Sequence, residues 1–148
     1  MTRISALVLS AIIPAFAAAQ TAVEPAPSEM IRPADTSDLS EFLWVNRPIV
    51  VFADSPADPR FQEQIDLLTQ DLDMLETRDV VILTDTDPGV QSPLRTKLRP
   101  RGFMLVLVAK DGTVALRKPF PWSVRELTRS IDKMPLRERE IRERRLDR

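Results

Sequence analysis

Arg47-Pro48-Ile49-Val50-Val51-Phe52-Ala53, followed by Asp54-Ser55-Pro56-Ala57-Asp58-Pro59, is the stretch that decides the fold of this chain. Ile49 to Ala53 is a continuous apolar run rich in β-branched residues. It has the length of a buried strand rather than a helix. Asp58 then stands as an N-cap, with Pro59 at the first helical position, where its missing N–H is no loss. From Pro59 to about Glu76, the residues Phe61, Ile65, Leu68, Leu72 and Leu75 recur at alternating spacings of four and three. That is one apolar helical stripe. Val80 to Leu83 is a second buried strand.

Outward from this β-α-β unit, Phe103 to Ala109 reads as a third strand. Lys110-Asp111-Gly112-Thr113 is a hairpin turn of the Asp-Gly type, which makes Val114 to Leu116 an antiparallel fourth strand. Ser123 caps a last helix with Glu126 at the capping-box position. Val124, Leu127, Ile131 and Met134 form its stripe, and Pro135 ends it. Ahead of the first strand, Ser37 or Asp38 caps a short helix in which Leu39, Phe42 and Leu43 point inward. The segment between the second and third strands, with Arg95, Lys97, Arg99 and Arg101 alternating, reads as a loop. Trp44 and Trp122 read as core or rim packing, and Pro119-Phe120-Pro121-Trp122 as a possible apolar ridge. The order predicts an α/β chain with a thioredoxin-like βαβ-ββα sandwich. The alternative is a ferredoxin-like α+β fold, which adjacent third and fourth strands suit less well. A thioredoxin-like fold carries its Cys-x-x-Cys in the loop after the first strand. Here Pro56 and Pro59 hold both cysteine positions.

The 148 residues contain no cysteine, histidine or tyrosine. This removes every thiol nucleophile, the commonest general base and the preferred zinc, copper and iron ligands. Neither metal nor cofactor is expected. Asp85 and Asp87 can offer oxygens to calcium but lack the ligand spacing of an EF-hand loop. Net charge is −1, yet it is segregated: fifteen acidic and four basic residues lie between Glu24 and Asp87, against seven acidic and sixteen basic from Pro88 to Arg148. Either the two halves neutralise each other on folding or they present a dipolar surface to a partner.

Arg3, the apolar run Ile4 to Phe16 and the small residues Ala17-Ala18-Ala19 have the form of a secretory signal peptide. The chain therefore divides into a signal peptide over 1–19, a flexible proline-bearing leader over 20–36, the folded domain over 37–135 and an Arg/Glu-rich extension over 136–148. The extension reads as an exposed helix or a frayed tail, in which Glu138 with Arg142 and Glu140 with Arg144 are expected as i,i+4 pairs. A periplasmic or secreted location follows, with no membrane anchor after cleavage and no nucleic-acid partner.

Several residues also carry a resemblance. Arg47 to Ala53, Asp58-Pro59-Arg60-Phe61 with Gln64, Lys110-Asp111-Gly112, and Ile131 to Arg137 with Glu140 resemble the domain-of-unknown-function family numbered 4174. The resemblance covers Leu39 to Glu140. It implies export, the same fold and no established reaction. Similar domains occur in small exported bacterial proteins and in animal extracellular-matrix and sushi-repeat proteins, as modules for adhesion or assembly. Thioredoxins place a cis-proline just before the third strand, near Phe103 or Met104; Pro100 stands a few residues earlier.

In this fold the loops after the first strand and before the third meet at one end. That brings Asp54, Asp58 and Arg60, with Gln64, toward Arg99 and Arg101, so that carboxylates lie beside guanidiniums able to fork onto carboxylate or phosphate. The expected function is an exported non-redox binding module for a protein of the cell envelope. The alternative is a small polar-ligand receptor or a cysteine-independent enzyme working at the same end.

Overall fold

The computed structural model describes residues 30–35 and 37–148. The expected signal peptide, and the leader apart from 30–35, lie outside the described residues. Five strands form one sheet: β1 (Ile31–Pro33), β2 (Arg47–Phe52), β3 (Val80–Asp85), β4 (Met104–Val108) and β5 (Val114–Lys118), in the order β1-β3-β2-β4-β5. β2 runs parallel to β3, with Ile49 opposite Ile82, and antiparallel to β4, with Ile49 opposite Leu107. The hairpin closes as its sequence predicts: Ala109 N donates to Thr113 O at 2.8 Å and Gly112 takes φ +86°.

All six residues of β2 are buried, because the strand is central and covered on both faces. The side-chain alternation of a strand then divides the core in two. Ile49 and Val51 pack with Leu68, Leu75, Phe103 and Leu127 on one face; Val50 and Phe52 pack with Leu83, Leu94, Leu98 and Val106 on the other. The first face is covered by α1 (Pro59–Thr69), α2 (Leu72–Glu76) and α4 (Val124–Asp132), the second by α3 (Pro93–Leu98) and a 3-10 turn over Leu39–Phe42. Each buried Leu, Ile or Phe contributes about 1.5–3 kcal/mol. A final helix, α5 (Pro135–Leu146), lies beyond. The sheet order, the β-α-β crossover and the terminal hairpin make this a thioredoxin-like sandwich.

Four elements differ from the sequence reading. Residues 31–33, assigned to the leader, form the edge strand β1, held by Ile82 N donating to Met30 O and Ala34 N to Thr84 O. The expected single helix over 59–76 is two, interrupted at Gln70 and Asp71. The expected loop over 89–102 contains α3, whose Leu94 and Leu98 are buried. Residues 136–146 are helical, but neither i,i+4 ion pair forms: Glu140 turns to Arg47, Lys110 and Arg137, and Arg144 to Asp79. Asp38, not Ser37, is the cap of the first turn, in a complete capping box with Glu41. Trp44 is not in the core; it is 67% exposed. Among the described residues no peptide bond is cis, and no helix is long and apolar enough to cross a membrane.

Candidate functional site

The chain leaves the sheet after Phe52, and residues 54–57 are exposed. Two short contacts shape this loop: Ala57 N donates to Ser55 Oγ at 3.1 Å and Asp58 N to Ser55 O at 3.1 Å. Asp58 then caps α1, its Oδ1 accepting from Arg60 N at 2.8 Å, with Pro59 at the first helical position. That backbone N–H, helped by the Arg60 side chain, holds the Asp58 carboxyl below its ordinary pKa. Arg60 lies 3.4 Å from Asp58 Oδ2, and its guanidinium covers the Phe103 ring at 5.5 Å.

Beneath the loop is a buried ion pair that sequence reasoning missed. Arg95, on α3, donates from Nη2 and Nε to Asp85 Oδ1 at 2.8 and 3.2 Å, and from Nη2 to Ala53 O at 3.0 Å. Ser92 Oγ donates to Asp85 Oδ2 at 2.5 Å and accepts from Arg95 N as the cap of α3. Burial alone would raise the Asp85 pKa, but these donors outweigh it and hold the pKa below its ordinary value. The cluster ties the ends of β2 and β3 to α3, so the loops on either side have a fixed base. It also uses up Asp85, while Asp87 caps the next turn through Gly89 N at 2.9 Å. Among the described residues no three metal-binding side chains converge.

Two shallow grooves open on this base. One, of about 470 Å³, is lined by Asp54, Ser55, Ala57, Asp58, Pro59 and Arg60. The other, of about 460 Å³, is lined chiefly by Asp54, Gln91, Thr96, Arg99 and Pro100, with Arg95 at its floor. Asp54 belongs to both and forms the ridge between them. Gly102 faces it at φ +60°; a Cβ there would lie 3.9 Å from Asp54 Oδ2. Arg99 ends α3 in the left-handed region at φ +48°. Neither the Asp54 nor the Arg99 side chain is in any ion pair among the described residues.

The structure therefore gathers Asp58, Arg60 and Arg99 around Asp54. Arg101 is exposed and lines neither groove. Gln64 is not a surface residue: it is fully buried. Its amide donates to Trp122 O and accepts from Trp122 N, both at 2.8 Å. It fixes the 119–122 segment onto α1, and its burial keeps it out of reach of a surface ligand. In that segment Phe120 is 52% exposed, and Lys118 Nζ sits 4.5 Å over the Trp122 ring.

The remaining motif residues meet at the other end of the sheet. Arg47, at 0% exposure, donates from Nη1 to Arg78 O at 2.9 Å and from Nη2 to Glu140 Oε1 at 3.1 Å. Lys110 Nζ lies 2.8 Å from both Glu140 Oε1 and Asp79 Oδ2, and Arg137 Nη1 lies 3.2 Å from Glu140 Oε2. Arg78 forks onto Asp132 at 2.9 and 2.8 Å. Burial opposes ionisation of Glu140, but its three cationic donors bring its pKa from 4.5 down to about 2. These residues dock α5, and none of them lines either of the two grooves.

The family described as Domain of unknown function (DUF4174) matches residues 38–140. No curated protein matches the chain by sequence. Among solved structures the chain is similar to the reduced 2-Cys peroxiredoxin of Plasmodium vivax, at TM-score 0.56 and 16% identity, covering 70% of this chain and 85% of that one. It is also similar to Plasmodium yoelii Prx1a modified at the N-terminus, at TM-score 0.52 and 18% identity, covering 68% and 80%. At these identities the likeness is one of fold.

Proposed function

The chain belongs to the family Domain of unknown function (DUF4174), and on that premise we propose that it is an exported, non-redox module that binds another protein of the cell envelope at the Asp54 end of the sheet. The observation that carries this reading is the pair of exposed charges, Asp54 and Arg99, that share a groove and have no ion-pair partner of their own. Opposite charges left unpaired on a rigid base suit recognition of a polar surface, with the guanidinium available to a partner carboxylate. Chemistry is poorly supported at this end. The chain has no thiol, so the two cysteines for which the similar 2-Cys peroxiredoxin is named have no counterpart here. Asp58 is held ionised by its cap bond and is a weak proton donor or acceptor. Both grooves are open and shallow, whereas small-molecule sites enclose most of their ligand. Export to the periplasm or medium is supported by the apolar run Ile4–Phe16 before Ala17-Ala18-Ala19.

The test is to tag the protein in its native compartment, cross-link, and identify what co-purifies with it and with the Asp54→Ala/Arg99→Ala variant. A stoichiometric protein recovered with the parent and lost with the variant is the expected outcome. A partner retained undiminished by the variant removes the groove from the reading. No protein partner, with saturable thermal stabilisation by a small polar compound, replaces it with ligand binding.

A further inference from the structure

β5 is an edge strand: the sheet order ends at β4-β5, with no further strand beyond it among the described residues. Ala109 N donates to Thr113 O at 2.8 Å, so Ala109 and Thr113 form a hydrogen-bonded pair. Such pairs alternate with non-bonded ones along an antiparallel ladder. Val114, next in the ladder and opposite Val108, therefore turns its own N–H and C=O away from β4. Val114 is 40% exposed, and Ala115 and Arg117 are exposed with it. The other edge of the sheet offers less. β1 has three residues and ends in Pro33, which has no N–H to donate.

The β5 edge is also basic. Between Pro93 and Arg125 the sequence carries eight cations and a single acid, Asp111. Arg95 and Lys110 are taken up by the ion pairs described above. Arg101, Arg117 and Lys118 are in no ion pair among the described residues. Arg117 Nη1 donates to Leu98 O, and the same nitrogen lies 3.8 Å from Met104 Sδ. Its guanidinium thus spans the turn that carries Arg101. No acid stands on α3, on that turn, on β4 or on β5. Asp111 sits at the hairpin tip, where it accepts from Thr113 N at 3.0 Å and Thr113 Oγ1 at 2.7 Å. Glu126, the first acid after β5 in the chain, accepts from Ser123 N at 2.9 Å. Asp54 shares its groove with Arg99, and Arg101 does not line that groove.

We propose that β5 receives an acidic, extended segment of a partner protein as a further strand, with acidic side chains beside Arg101, Arg117 and Lys118. In strand addition the main-chain hydrogen bonds give affinity and the side chains give preference. The two observations together choose the occupant. A phosphate or a lipid headgroup meets the charge but leaves the outward N–H and C=O of Val114 without strand partners. A second copy of this chain would set two Arg117 and two Lys118 side chains in one ladder, where like charges repel. Lys118, Pro119 and the irregular register at Leu107 and Val108 are the devices by which an edge avoids pairing with its own kind. This surface is additional to the Asp54 groove and does not depend on it.

The test is fluorescence anisotropy of a labelled peptide of alternating glutamate and valine, titrated with the full chain. Two control peptides carry lysine in place of glutamate, or N-methyl groups along the edge that would pair with β5. The glutamate peptide should bind, and each control should bind at least about tenfold more weakly. Arg101→Glu/Arg117→Glu should weaken binding of the glutamate peptide by about tenfold. Asp54→Ala/Arg99→Ala should leave it unchanged, which separates this surface from the groove. The Val114 amide should exchange more slowly once the peptide is bound. No binding by the unaltered chain overturns the proposal. Equal binding of the N-methylated peptide overturns it in favour of charge alone, and equal binding of the lysine peptide overturns the acidic preference. A dimer of the chain in which the Val114 amide is already protected overturns it in favour of a second copy.

Discussion

Glu140 is the keystone of α5 docking, and its removal should be costly in a way that pH can expose. Its carboxylate, 16% exposed, accepts from Arg47, Lys110 and Arg137. The drop from 4.5 in the unfolded chain to about 2 in the folded one corresponds to about 3 kcal/mol of stability at neutral pH. Breaking a buried pair by deleting one partner gives a similar figure, about 3–5 kcal/mol. Glu140→Gln keeps the shape and removes the charge, so urea unfolding at pH 7 should show a loss of about 3 kcal/mol. The sign of the pH dependence follows. A depressed folded pKa contributes stability above pH 4.5 that is lost as pH falls toward about 2. The gap between parent and variant should therefore be full at pH 7, begin to narrow near pH 4.5 and close near pH 2. A loss below about 1 kcal/mol at pH 7, the range of a surface pair, would refute the reasoning. A gap that stays constant on acidification would refute it equally.

Two further outcomes test the rest of the frame. Gln64→Leu leaves Trp122 N and O without partners and should cost about 1–3 kcal/mol; hydrogen exchange should speed up at Trp122 and Ser123 while β2 amides keep their protection order. Arg95→Ala strands the Asp85 carboxylate and should cost about 3–5 kcal/mol, whereas Asp85→Ala/Arg95→Ala should be less destabilised than the sum of the single changes. Strict additivity in chemical denaturation would show that the two residues do not act as a pair.

Much of this architecture is legible in the sequence because it rests on local signals. β2 and β3 are apolar runs, the hairpin has its Asp-Gly turn, and α4 has a complete capping box. β1 has no such signal. Ile31-Arg32-Pro33 is a strand only because β3 lies beside it in the folded chain. α3 had a usable signal, Ser92 before Pro93 with Leu94 and Leu98 one turn apart, but the run of basic residues obscured it. Gln64 could also have been recognised. It lies three residues after Phe61 and four before Leu68, on the inward stripe, and a polar side chain there must find buried partners. The candidate site was half legible. Asp58, Arg60 and Arg99 converge as the topology requires, while Arg101 does not join them and the Asp85–Arg95 base was invisible to spacing alone. The charge segregation resolves in part by neutralisation: Asp85 pairs with Arg95, and Asp79 with Lys110 and Arg144, each across the two halves.

The reach of the Arg47–Glu140 contact bears on the timing of folding. The two residues are separated by 93 positions, so a guanidinium at the start of the central strand receives its carboxylate only when nearly all of the described chain is available. Until then the cation has only Asp79, 3.9 Å from its Nη1, as counter-charge. A chain cut short before residue 140 lacks the closer of the two carboxylates, so this end of the sheet should open locally more often than in an intact chain.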